Sequence, residues 1–168
     1  MNKEKLFNET SNYVSQNNFD FFITLHFKKE VTKQQARNAL DQFLKNINKQ
    51  LFGYRSFKSL SQISAIEKNR ESESFHIHMV IKCPLSQLKK RENANYNYLK
   101  KCIKDSWGSA SKLTATDELN LSEKSPEWIK PIYDNVGISS YISKQILNNH
   151  FDVIEWDKMN VTGKRKKD

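Results

Sequence analysis

Two hydrophobic periods run through this chain, and the places where one replaces the other outline its elements. From Phe19 to Phe27 (FDFFITLHF) the residues are aromatic and β-branched and are bounded by Asn17-Asn18 and Lys28-Lys29, which predicts a strand. Its odd positions Phe21, Ile23, Leu25 and Phe27 are apolar, while the even ones include Thr24 and His26. One face is therefore expected to be buried and the other mixed. Residues 61–69 and 74–82 alternate in the same way around the polar stretch KNRESES and predict a β-hairpin. Helical spacing rules elsewhere. Ala36, Leu40, Phe43, Leu44, Ile47 and Leu51 recur behind Thr32, with Gln35 placed for a capping box and Gly53 as a stop. A short polar helix is expected over 3–16 and another from Asn95 to Trp107, with Tyr98, Leu99, Cys102, Ile103 and Trp107 on one stripe. A further helix is expected over 136–147, with Ile138, Ile142 and Ile146 on its apolar side. Short strands are expected near 113–116 and 128–133, with Pro126 and Pro131 interrupting, and a last one over 151–156. This order predicts a single α+β domain: a mainly antiparallel five-stranded sheet with helices packed on it.

Composition adds a partner class. The 168 residues suffice for one core, expected over 1–160, followed by a basic tail at 161–168. Lys and Arg total 28 against 19 acids, a formal charge of +9, which suits a polyanion such as nucleic acid. Only 4 glycines and 3 prolines argue against turn-rich sandwiches and barrels. Cys83 and Cys102 lack CxxC spacing, so neither a zinc ribbon nor a disulfide framework is expected. The opening MNKEKLFNETSNYV lacks the apolar run of a signal peptide, and no stretch is long enough to span a membrane. A cytoplasmic protein without a membrane partner is the expectation.

The chemistry concentrates on the strand SFHIHMVIK. His76 and His78 point the same way, about 7 Å apart at Cα, so both imidazoles can reach one metal. Histidines at this spacing also occur as plain surface residues of half-exposed strands. Glu67 joins them if the hairpin loop is even and centred on Glu71-Ser72, which sets it directly opposite His76. An odd loop would turn it away. The patterns that would indicate other HxH families are missing. No glutamate follows the pair closely as in cupins, Val80 stands where metallo-β-lactamases carry aspartate, and HExxH is absent. On the helix GISSYISKQIL, Tyr141 leans from the edge of the isoleucine stripe with Lys144 on its flank.

Taken together, the strand FFITLHF, the strand FHIHMVI and the downstream YISK resemble the three ordered motifs of HUH endonucleases, from about Phe21 to Lys144. That superfamily includes rolling-circle replication initiators, relaxases and some transposases, and the lone Tyr141 resembles its single-tyrosine class. The resemblance implies an HUH/RRM-like sheet, with His76, His78 and Glu67 as ligands of Mg²⁺ or Mn²⁺, Tyr141 as nucleophile and Lys144 as its companion. It implies nicking and joining of single-stranded DNA or an origin hairpin through a 5′-phosphotyrosine, in concert with host replication machinery. Lys28, Arg55, Lys58, Lys100 and Lys104 are the candidate DNA contacts. A relaxase or transposase of a mobile element, a non-catalytic nucleic-acid-binding module and a metal-dependent hydrolase without a covalent step are the competing readings.

Overall fold

The apolar faces anticipated above meet on the two sides of one sheet. In this computed structural model the described residues are 2–69, 72–88, 95–123, 127–144 and 153–164. Four helices, α1 (Lys3–Gln16), α2 (Lys33–Phe52), α3 (Tyr96–Gly108) and α4 (Asn135–Ser143), accompany four strands among them. The strands are β1 (Phe21–Leu25), β2 (Gln62–Lys68), β3 (Phe75–Ile81) and β4 (Ile129–Pro131). They lie in the order β2-β3-β1-β4, every neighbouring pair antiparallel. Two β-α-β units thus interleave, β1 and β2 flanking β3, and β3 and β4 flanking β1.

Side-chain alternation sorts the sheet into two cores. Ile23, Leu25, Ile66, Ile77, Met79 and Ile81 face α2 and α3, where Phe43, Ile47, Cys102, Ile103 and Trp107 complete a large cluster. On the opposite face Ile63, Ala65 and Val80 pack with Val14 of α1, Ile142 of α4, Val153 and Ile154. The sheet is therefore covered on both sides. This explains why β2 is buried at consecutive positions from Gln62 to Glu67 rather than at every second one. The caps follow the expected chemistry. Thr32 and Gln35 close a reciprocal capping box on α2, and Gly53 ends that helix at φ +84°, a conformation that L side chains resist. Asn2, Asn95 and Asp134 cap the other three helices.

Two expected strands are reduced to isolated bridges among the described residues. The segment at 113–116 makes a single bridge, Phe27 to Thr114, because Ser111 and Thr114 bond their own backbone and fold it into a turn. The C-terminal segment does run along β2, with Ala65 opposite Ile154 and Gln62 opposite Asn160, but a turn over 156–158 breaks the ladder. At that turn Glu155 points inward to Arg37, 2.7 Å away, and Lys158 pairs with Asp41 of α2, also at 2.7 Å. The sheet therefore has four strands among the described residues instead of five. Chain end and core are also less separate than expected. Ser59 N–H donates to the Gly163 carbonyl and Lys58 bridges Lys164, so the chain is docked through 164, and residues 165–168 lie outside the described ones. So do 145–147 and 151–152 of the last expected helix and strand. No described helix is long and apolar enough to cross a membrane.

Candidate metal centre

The hairpin register decides the fate of Glu67. Lys68 pairs with Phe75 and Glu67 with His76, so the loop is even and the carboxylate falls on the histidine face. The ligand-type atoms of Glu67, His76 and His78 all lie within 4.8 Å of one another. His76 Nε2 and His78 Nε2 are 2.9 Å apart, and His78 Nε2 is 3.4 Å from Glu67 Oε2. Two donors about 2.1 Å from one ion stand roughly 3.0 to 3.4 Å apart, depending on coordination angle. The donor set therefore suits a small divalent cation, and the group could hold one.

Protonation and orientation agree with that role. Burial, aided by the neighbouring His78, lowers the pKa of His76 from 6.5 to about 4, so at pH 7 it is a neutral imidazole with a lone pair to give. Its other nitrogen, Nδ1, is buried with no hydrogen-bond partner among the described residues, which leaves the opposite edge of the ring as the one that meets polar atoms. His78 is held from behind. Thr24 on β1 sits directly across from it in the β1–β3 register and places Oγ1 3.1 Å from Nδ1. A proton on Nδ1 donated to Thr24 leaves Nε2 free to ligate. Phe22 stacks on the same imidazole with ring centroids 5.1 Å apart. Thr24 is the residue that sequence reasoning missed as part of the site. The signal was its place two residues before His26 on the mixed face of the strand. Thr24→Val is expected to weaken Mn²⁺ affinity about 10- to 100-fold by calorimetry, with Thr24→Ser retaining it. An unchanged Thr24→Val affinity would rule out that orienting role.

α4 brings the remaining residues. Its small side chains let it sit close on α1, where Ser11 Oγ lies 3.0 Å from Ser139 Oγ, and Ser139 and Ser143 are fully buried. Ile142 enters the core on this face, so Tyr141 beside it is carried along the sheet to the histidines. Its hydroxyl is 3.4 Å from His78 Nε2, and its ring meets Phe22 edge-on. The side of Tyr141 left open gives the residue 40% exposure. Lys144 follows three residues on. Its ammonium lies 3.4 Å from Glu67 Oε1 and 3.6 Å over the Tyr141 ring. Glu67, His76, His78, Tyr141 and Lys144 thus converge. His26 borders them, its ring stacked on His76 at 5.7 Å.

The basic residues divide. Lys28 is exposed just beyond the end of β1 that carries Thr24, near the centre. Arg55 and Lys58 precede β2 and so lie toward the sheet end away from Glu67, while Lys104 is half-buried on α3, which packs on the opposite face. Lys100 needs correction as a DNA contact. It is 1% exposed, and its ammonium donates to the carbonyls of Leu121 and Glu123 at 3.0 and 2.7 Å. The sign was present in the chain: Lys100 lies three and seven residues before Ile103 and Trp107, on the buried stripe itself. Lys100→Met is expected to lower stability by about 1–3 kcal/mol in urea titration, through two carbonyls left without their donor. An unchanged unfolding midpoint would show that the two carbonyls do not depend on this ammonium.

No family model, no curated protein and no solved structure matches this chain.

Proposed function

We propose that this protein is a metal-dependent endonuclease of the HUH kind, which nicks and rejoins single-stranded DNA through Tyr141 and so initiates rolling-circle replication of a plasmid or virus. The observation that carries this reading is the 3.4 Å approach of the Tyr141 hydroxyl to His78, a residue 63 positions away. A nucleophile beside a Glu/His₂ donor group is what phosphodiester transfer requires. The four-stranded antiparallel sheet with its histidines on a central strand supports the same assignment.

Glu67, His76 and His78 would hold the ion, Mg²⁺ or Mn²⁺, which would supply Lewis acidity toward the scissile phosphate. Thr24 keeps His78 turned toward it. The Tyr141 oxygen attacks phosphorus in line, the P–O3′ bond breaks, and the phenol proton is in balance delivered to the departing 3′-hydroxyl. The product is a 5′-phosphotyrosine and a free 3′ end. Attack by a 3′-hydroxyl on that linkage reverses the step and rejoins DNA. Lys144, between the Glu67 carboxylate and the Tyr141 ring, stabilises negative charge as it develops on the phenolate or phosphate. Because the centre lies on a sheet face beside a helix, the scissile strand reaches it unpaired.

The test is incubation of the protein with labelled single-stranded DNA pools and Mn²⁺, followed by denaturing electrophoresis. A protein–DNA adduct that survives SDS is expected. Cleavage with no adduct at any time point would point instead to a hydrolase, and binding without cleavage across sequences and metals to a binding module.

A further inference from the structure

A second feature lies away from the metal centre. The loop after α2, residues 53–58 (GYRSFK), holds two aromatic rings in solvent: Tyr54 is 71% and Phe57 81% exposed. Apolar surface left in water forgoes about 25 cal/mol per Å², and two exposed rings on one six-residue loop offer such surface to a ligand. The loop is held in place at both ends. Gly53 N–H donates to the Lys49 carbonyl, the Leu60 N–H to Asn48 Oδ1 at 2.7 Å, and Ser59 N–H to Gly163. The rings are therefore presented on an anchored frame, with little ordering left to do on binding.

Beside the loop is a cleft of about 740 Å³, lined among others by Lys45, Asn46, Asn48, Lys49 and Tyr54. That is room for a nucleotide. Lys49 places its ammonium 4.2 Å from the centre of the Tyr54 ring, and Lys45 and Arg55 are exposed nearby in the chain. The cleft wall also carries two acids: Asp41 pairs with Lys158 at 2.7 Å, and Asp157 lies 3.7 Å from Lys158 and from Arg37, which also binds Glu155, so one carboxylate's charge stands uncompensated against Lys45, Lys49 and Arg55. Surplus positive charge interleaved with exposed rings is the composition of a single-strand stacking surface. The cleft reaches Gln62, five residues before Glu67 and so roughly 17 Å along β2 from the donor group.

We propose that the 53–58 loop and this cleft form an anchoring site for single-stranded DNA, separate from the metal centre, in which bases stack on Tyr54 and Phe57 and phosphates lie against Lys45, Lys49 and Arg55. The ligand class rests on the DNA-nicking reading. The anchor grips the strand at a distance from the scissile phosphate, through stacking that tolerates any base.

The experiment is fluorescence anisotropy of a labelled mixed-sequence single-stranded oligonucleotide in EDTA, so that binding is read without chemistry. Tyr54→Ala/Phe57→Ala should weaken affinity about 10- to 100-fold, and Tyr54→Trp/Phe57→Tyr should keep it. Lys45→Ala/Lys49→Ala should flatten the salt dependence by roughly 0.7 in log–log slope for each phosphate no longer neutralised. Wild-type affinity in the double alanine variant overturns the anchor, and tighter binding of the same sequence as RNA overturns its assignment to DNA. These outcomes are independent of adduct formation at Tyr141, whose absence in the wild type would instead sink the nicking reading.

Discussion

Tyr141→Phe is expected to abolish the SDS-resistant DNA adduct, a fall of about a thousandfold or more in strand transfer, while the protein remains folded. The substitution deletes one oxygen. The ring keeps its edge-on packing against Phe22, and the hydroxyl's approach to His78 that disappears is long, at 3.4 Å. The residue is already partly exposed, so the stability cost should stay within about 1 kcal/mol. A thermal melt of the variant beside the adduct assay separates loss of chemistry from loss of fold. Mn²⁺ binding should also survive, because the phenol is not one of the donor group. If the variant still cleaves and still links to DNA, the nucleophile is another residue. If it cleaves without linking, the reaction is hydrolysis.

A comparable loss is expected at His78, for a different reason. This imidazole touches Glu67, His76, Thr24, Phe22 and Tyr141, and its side chain is 7% exposed. His78→Ala removes the donor shared by every short distance in the group, so Mn²⁺ affinity should fall by more than the 10- to 100-fold typical of an outer partner. Thermal unfolding reads this directly. Metal at one hundred times its dissociation constant should stabilise the native wild type by about 2.7 kcal/mol, whereas the variant's melting curve should not move. The variant also leaves a cavity beneath Phe22, so its metal-free midpoint should drop as well. His78→Gln, which fills that space without supplying an imidazole, separates the two effects. A metal-induced shift equal to wild type in both variants would move the ion away from this group.

Much of this centre could be read before the structure. That His76 and His78 share a face follows from the two-residue period of a strand, which is local backbone geometry. The boundaries of α1 and the capping box of α2 are likewise carried by neighbouring residues. Glu67 was legible only conditionally. Its face depends on the parity of the loop, and the register Glu67 to His76 resolves it. Lys100 was misread because charge was weighed ahead of helical position, although the stripe of α3 runs through it. The C-terminal strand expected over 151–156 is, among the described residues, reduced to isolated bridges at Ile154 and Asn160. The charged contacts with α2 that turn the chain there are long-range ones.

The chain alone therefore determined which residues share a face within a strand or helix, since periodicity records the local turn of the backbone. It could not say which element covers that face. The meeting of Tyr141 with His78 depends on α4 seating against α1 through Ser11 and Ser139. The bracing of His78 by Thr24 depends on β1 lying beside β3 rather than beside β2. Both contacts join residues more than fifty positions apart. They are selected by the packing of two cores on one sheet, a property of the assembled layers that no single segment contains.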